Sequence, residues 1–218
     1  MKKKAIKNPL KKVVNAVLKR TFDILFSGFI LVFFLSWMFP LFALIIKIQS
    51  KGPVIYKQLR EGKDGVHFMC FKFRTMHLNG ESDYSWTKVN DPRVTRFGVF
   101  LRRTSLDEFP QFLNVFLGTM SIVGPRPHMT DHTKYYSKEV NNFMLRHKCL
   151  PGITGWAQVN GRNTILWVKK FEYDVWYVEH CSFALDVKIL FLTVKKVFVR
   201  EGISQEGQAT MEVFKGSK

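Results

Sequence analysis

Between Ile24 and Ile46 no charged residue interrupts a run rich in Leu, Ile and Phe, long enough for a membrane span. No small-residue cleavage site follows, and Lys47 leads directly into folded-looking sequence, which excludes a cleaved signal peptide. Pro40 lies inside the run, where it removes a helix hydrogen bond, and Ser36 sits one turn before it. Both flanks are basic. Residues 1–20 carry Lys2, Lys3, Lys4, Lys7, Lys11, Lys12, Lys19 and Arg20 with no acid, and Lys47, Lys51, Lys57, Arg60 and Lys63 follow the run. A straight span would put one basic flank on the wrong side of the membrane. A helix that enters, breaks near Pro40 and returns satisfies both, and re-entry is the expected topology.

Downstream the period changes. Ser50-Lys51-Gly52-Pro53 reads as a turn, and residues 54–59 and 66–76 flank a Gly/Lys/Asp-rich connection, which predicts a hairpin. On its second strand His67, Met69, Phe71 and Phe73 share one face, and Phe68, Cys70, Lys72 and Arg74 the other. Residues 135–148 read as a polar helix stopped by Pro151-Gly152. Two further helices are expected after Thr164. The first carries Trp167, Phe171, Tyr173, Trp176 and Tyr177. The second, from about Ser182, alternates apolar residues with Lys188, Lys195 and Lys196 and ends at Gly202. Both suit either core packing or a membrane–water boundary. The division is a basic juxtamembrane arm (1–20), a re-entrant helix (21–48), a cytoplasmic domain (49–202) and a polar tail (203–218).

The formal net charge of +17 and pI near 9.9 call for a polyanionic partner: nucleic acid, an anionic membrane surface or phosphorylated substrates. Nucleic acid finds no support in a recognition-helix or RNP-like motif. The 46% hydrophobic content and 21 Phe exclude disorder. Cys70, Cys149 and Cys181 lack CxxC spacing, so reduced thiols and no zinc site are expected. There is no Walker A loop, GxGxxG, GxSxG or DxD, and His128 and His132 lack the glutamate of HExxH.

The candidate chemistry centres on residues 101–127. Asp107 and Glu108 stand side by side in this basic chain, just after Arg102 and Arg103. Three readings are open. Ser105 and Glu108 match a capping box, although Pro110 fits that register poorly. Asp107 fits an ordinary helix N-cap. The pair also fits a site in which one carboxylate attacks phosphorus and the other holds a divalent metal. Nearby cations suit phosphate: Lys72 and Arg74 on one strand face, Arg93 and Arg96 after the Asp91-Pro92 turn, Arg126 between two prolines, and Arg162 after the Asn160-Gly161 turn.

Taken in order, KRTFDI (19–24), SKGPVIYKQLREGKDG (50–65), FKFRTM (71–76), NDPRVTRFG (90–98), LRRTSLDEFPQFLNV (101–115), SIVGPRP (121–127) and PGITGWAQVNGR (151–162) resemble the monotopic polyprenyl-phosphate phosphoglycosyl transferases among bacterial sugar transferases. Residues 144–161 and the histidine after GPRP resemble the subgroup that starts exopolysaccharides with glucose 1-phosphate. The resemblance implies an α+β, mostly helical fold with a re-entrant helix, a small hairpin and a cytoplasmic catalytic domain with amphipathic interfacial helices. It implies transfer of a sugar 1-phosphate from a UDP-sugar to undecaprenyl phosphate at the bacterial inner membrane, with release of UMP, as the first membrane step of exopolysaccharide, capsule or O-antigen assembly. Asp107 would be the nucleophile and Glu108 the Mg²⁺ ligand. Lys72, Arg74, Arg102 and Arg126 would meet phosphates, joined by Arg162 and Asp174. Anionic lipids and a second copy of the chain are the further partners. The alternative is a non-catalytic membrane scaffold. Two positions depart from the family pattern: Phe39 precedes Pro40 where serine is usual, and Val99 replaces a common basic residue.

Overall fold

The computed structural model describes residues 13–78, 91–140, 142–161 and 165–199. Its longest element is helical from Val14 to Gln49 and is long and apolar enough to cross a membrane. It comprises α1 (Val13–Ile30), a π turn (Leu31–Leu35) and α2 (Ser36–Gln49). Helical structure continues through Pro40, and the irregularity lies in the π turn before it. That placement is physically sensible, because a proline conflicts with the carbonyls of the turn preceding it. Trp37 Nε1 donates to Phe33 O, and Ser36 Oγ donates to Val32 O, which satisfies carbonyls of the loosened turn.

Strands β1 (Ile55–Glu61) and β2 (His67–Phe73) form the expected antiparallel hairpin, in register from Ile55↔Phe73 to Glu61↔His67. The turn closes through left-handed Asp64 (φ 53°) and Gly65 (φ 81°), residue types that take this conformation readily. Phe68 and Cys70 are buried, so Lys72 on the same strand face is aimed inward.

Helix α3 (Arg96–Thr104) is capped by the Thr95 hydroxyl, which accepts from Gly98 N. Left-handed Ser105 (φ 59°) ends it. A single 3₁₀ turn, Leu106–Glu108, follows, and α4 (Gln111–Leu117) starts after Pro110. Neither capping reading of the acid pair holds. Ser105 makes no capping bond, and Pro110 occupies the position before α4.

A second sheet joins β3 (Ser121–Val123) to β4 (Gly152–Thr154) in parallel. Gly124 and Gly152 let these backbones meet: a Cβ on Gly124 would lie 2.3 Å from Leu150 O, and one on Gly152 2.1 Å from Gly124 N. The polar helix expected over 135–148 is instead α5 (Thr130–Glu139) and a 3₁₀ segment (Phe143–Lys148). Left-handed Asn142 (φ 64°) separates them and turns Phe143, Arg146 and His147 into the interior. The short α6 (Trp156–Val159) precedes the two expected C-terminal helices, α7 (Trp167–His180) and α8 (Phe183–Val199).

The central core gathers Phe68, Cys70, Val115, Met120, Ile122, Val123, Val178 and Ile189. KRTFDI ties α1 to it. Lys19 Nζ donates to Val123 O (2.9 Å) and pairs with Asp186, Ile122 N donates to Asp23 Oδ1 (3.0 Å), and Arg20 donates to Val115 O and Phe116 O. The far end of α2 packs Met38, Phe42 and Ile46 against Phe73 and Leu101 in a second cluster.

Candidate active site

The acid pair sits in the tight turn between α3 and α4, facing β2 and the loop after β3. Glu108 is engaged on both sides. Its Oε1 accepts from Lys72 Nζ (2.6 Å) and Arg126 Nη2 (2.5 Å), and its Oε2 from Arg126 Nη1 (3.3 Å). Burial alone would raise the Glu108 carboxyl, but Arg126 and Lys72 outweigh it and hold the group well below the usual range.

Asp107 differs. Among the described residues its carboxylate has no hydrogen-bond or ion-pair partner. Burial pushes it up to about 6; Lys72, Arg102 and Arg126 pull it down, and the neighbouring Glu108 charge pushes it up. Adjacent carboxylates in one turn thus divide: one is locked among cations, the other is poised near neutrality. Such a division marks acid–base and nucleophilic sites.

Arg102 lies within electrostatic reach of Asp107, its Nε donating to Thr75 Oγ1 (2.9 Å). The structure therefore brings together Asp107, Glu108, Lys72, Arg102 and Arg126. Arg74 is not among them. It is buried, and its Nη1 and Nη2 donate to Lys51 O (2.6 Å) and Ser50 O (2.7 Å), fastening the exit of α2. Asp174 is not among them either: it is buried in an ion pair with Arg146 (2.6 Å). Arg162 lies outside the described residues. Arg93 folds back onto Asp91.

Two contributors were not singled out in the sequence. Arg60 Nη1 donates to Pro127 O (3.1 Å), and Arg146 Nη2 donates to Arg126 O (2.5 Å). Tyr56, Gln58, Arg60 and Lys72 alternate on one hairpin face, so strand periodicity contained a signal for Arg60. Arg146 stood only within the 144–161 resemblance with nothing to mark its role, because its short 3₁₀ segment carries no strand or α-helical period. His128 is held neutral by burial, with Arg146 pushing the same way, and its Nδ1 meets Arg146 Nη1.

Among the described residues no group of three or more His, Cys, Asp or Glu could hold a metal. Two adjacent hard carboxylates do fit Mg²⁺, which is commonly bound by one or two carboxylates together with substrate phosphates.

Residues 14–200 match the model of the family described as "Bacterial sugar transferase". The chain belongs to the bacterial sugar transferase family. An uncharacterized sugar transferase, EpsL, of Bacillus subtilis is 46% identical over 203 residues, covering 92% of this chain and 97% of that one. The UDP-glucose:undecaprenyl-phosphate glucose-1-phosphate transferase of Escherichia coli is 48% identical over 195 residues, covering 86% of this chain but 42% of that one. The undecaprenyl-phosphate galactose phosphotransferase of Salmonella typhimurium is 38% identical over 213 residues, with 90% and 44% covered. The chain thus spans nearly all of the Bacillus protein and less than half of these two named transferases.

Proposed function

We propose that this protein transfers a sugar 1-phosphate, glucose 1-phosphate first among the candidates, from a UDP-sugar to undecaprenyl phosphate. This would be the first membrane step in building an exopolysaccharide, capsule or O-antigen. The observation that carries the reading is an Asp107 carboxylate without a hydrogen-bond or ion-pair partner among the described residues, beside a Glu108 locked by Lys72 and Arg126. The family assignment and the relatives' names point the same way.

In the first step an Asp107 oxygen bonds to the β-phosphorus of the UDP-sugar. The bond from that phosphorus to the oxygen bridging the α-phosphate breaks, and UMP leaves with the electron pair. In the second step a phosphate oxygen of undecaprenyl phosphate attacks the same phosphorus, the Asp107–phosphorus bond breaks, and the carboxylate is regenerated. Phosphoryl transfer asks mainly for alignment and charge stabilisation. Lys72, Arg102 and Arg126 supply fixed positive charge around the transferred group. Glu108 would hold Mg²⁺ jointly with the donor's phosphates, and the ion would neutralise charge on the diphosphate as UMP departs.

The expected re-entrant topology is part of this proposal. In the helical stretch Lys19, Asp23 and Ser27 are buried on the domain, then Met38, Phe42 and Ile46, while no residue from 28 to 37 is buried. Both ends are therefore fastened to one domain and the middle is more exposed, which suits a helix dipping into one leaflet. At ~1.5 Å per residue these 36 residues exceed the ~30 Å a straight span needs. Around the acid pair, α3 exposes Val99 and Phe100, and α4 exposes Leu113, Phe116 and Leu117. An apolar rim here would seat the site at the cytoplasmic headgroup plane of the inner membrane, where the lipid phosphate lies.

Intact-mass measurement with UDP-glucose and Mg²⁺, without lipid acceptor, tests the covalent step. The reading predicts one added hexose phosphate, discharged by undecaprenyl phosphate and absent in Asp107→Asn. Addition that persists in Asp107→Asn would move the nucleophile elsewhere.

A further inference from the structure

We propose that Arg146, paired with Asp174, is a positioning residue for this reaction: it grips the main chain of Arg126 so that the Arg126 guanidinium meets Glu108 and the donor's phosphates. The inference rests on the transferase reading for its chemistry and on the following contacts for its geometry.

The loop Gly124-Pro125-Arg126-Pro127 has every carbonyl from Pro125 to Pro127 taken. Gly152 N donates to Pro125 O (2.9 Å), Arg146 Nη2 to Arg126 O (2.5 Å), and Arg60 Nη1 to Pro127 O (3.1 Å). Gly124 N is held by Thr154 O (2.9 Å), and the two prolines fix their own φ angles. The side chain of Arg126 is left as the loop's variable part. It is 42% exposed, against 1% for Arg146. Arg126 can therefore meet a soluble donor, whereas Arg146 cannot.

Arg146 is itself held on all sides. Nε and Nη2 donate to Asp174 Oδ2 (3.1 and 2.6 Å), Nη1 meets His128 Nδ1, and the guanidinium lies over Phe143 (5.1 Å) and Phe171 (5.8 Å). Burial and Arg146 keep His128 neutral, which leaves Nδ1 able to accept. A guanidinium fork is needed, since a lysine ammonium cannot span carboxylate, imidazole and carbonyl in one plane. Asp174, 4% exposed, acts as the anchor of that fork.

The test is a double-mutant cycle on the full-length protein in detergent, reading UMP release from UDP-glucose, with unfolding temperature recorded for each variant. Arg146→Gln is expected to lower kcat/KM about 10- to 100-fold, as displacement of an aligned group does. Arg146→Lys should restore little of it. In an Arg126→Ala background Arg146→Gln should cost no more than about twofold, because its effect passes through Arg126. A merely structural role would multiply the two losses, and multiplied losses, or full activity in Arg146→Gln, overturn the proposal. Should Arg146→Gln fail to fold, Asp174→Asn repeats the cycle with a milder change and the same expected non-additivity. If the wild type releases no UMP from any UDP-sugar, the transferase reading fails separately. The cycle is then read as UDP affinity by calorimetry, where additive losses, or no UDP binding by the wild type, overturn the inference.

Discussion

Burial pushes the Asp107 carboxyl up to about 6, from an unperturbed 3.8. If Asp107 is the nucleophile, as proposed, it must be ionised, and the first chemical step should speed up about tenfold per pH unit below 6 and level off above it, measured as a pre-steady-state burst of UMP. The same shift bears on stability. The folded value lies above the unfolded one, so the folded state binds this proton more tightly. Stability is favoured at low pH and lost as pH rises from 3.8 through about 6. At pH 7.5 the buried charge costs on the order of 1–3 kcal/mol. Asp107→Asn should therefore abolish turnover while raising the unfolding temperature at pH 7.5, a gain that disappears below pH 4. Glu108→Gln should do the reverse and destabilise, because it strips Lys72 and Arg126 of their shared anion. The adjacency of the acids was legible in the sequence, and so were Lys72, Arg102 and Arg126. Their division of labour was not, since the cations on Glu108 come from 36 and 18 residues away. Arg74 misled for a related reason: sharing a strand face with Lys72 does not say which carbonyls lie at the strand's end.

Among the elements, the long apolar helix and the hairpin could be read directly, because long apolar runs and period-two alternation are local signals. The β3–β4 pair could not. Three-residue parallel strands carry no alternation, and their pairing depends on glycines far apart in the chain. The docking of α1 was likewise hidden within KRTFDI. Its key contact is the buried pair of Lys19 with Asp186, to which Tyr177 also donates (2.7 Å). Lys19→Met should cost about 3–5 kcal/mol by leaving a buried carboxylate without its cation. The double variant Lys19→Met/Asp186→Asn should recover part of that loss in thermal unfolding. A single variant as stable as wild type would show that α1 is held without this ion pair.

For the whole molecule, one domain grips both ends of a long apolar helix and presents its acid-pair turn beside exposed apolar faces of α3 and α4. If the helix returns to the side it entered from, a fluorescent protein that matures only in the cytoplasm should glow when fused before Met1 and when fused after Lys218. A dark amino-terminal fusion would instead support a straight span. The central claim, that Asp107 drives sugar-phosphate transfer to a lipid phosphate, is tested most directly by UMP release. Detergent-purified protein would be given Mg²⁺, undecaprenyl phosphate and a panel of UDP-sugars, with Asp107→Asn alongside. The account predicts UMP from one sugar, glucose first, and none from the variant. Folded wild-type protein that releases no UMP from any sugar, or a variant that releases it at the wild-type rate, would contradict it.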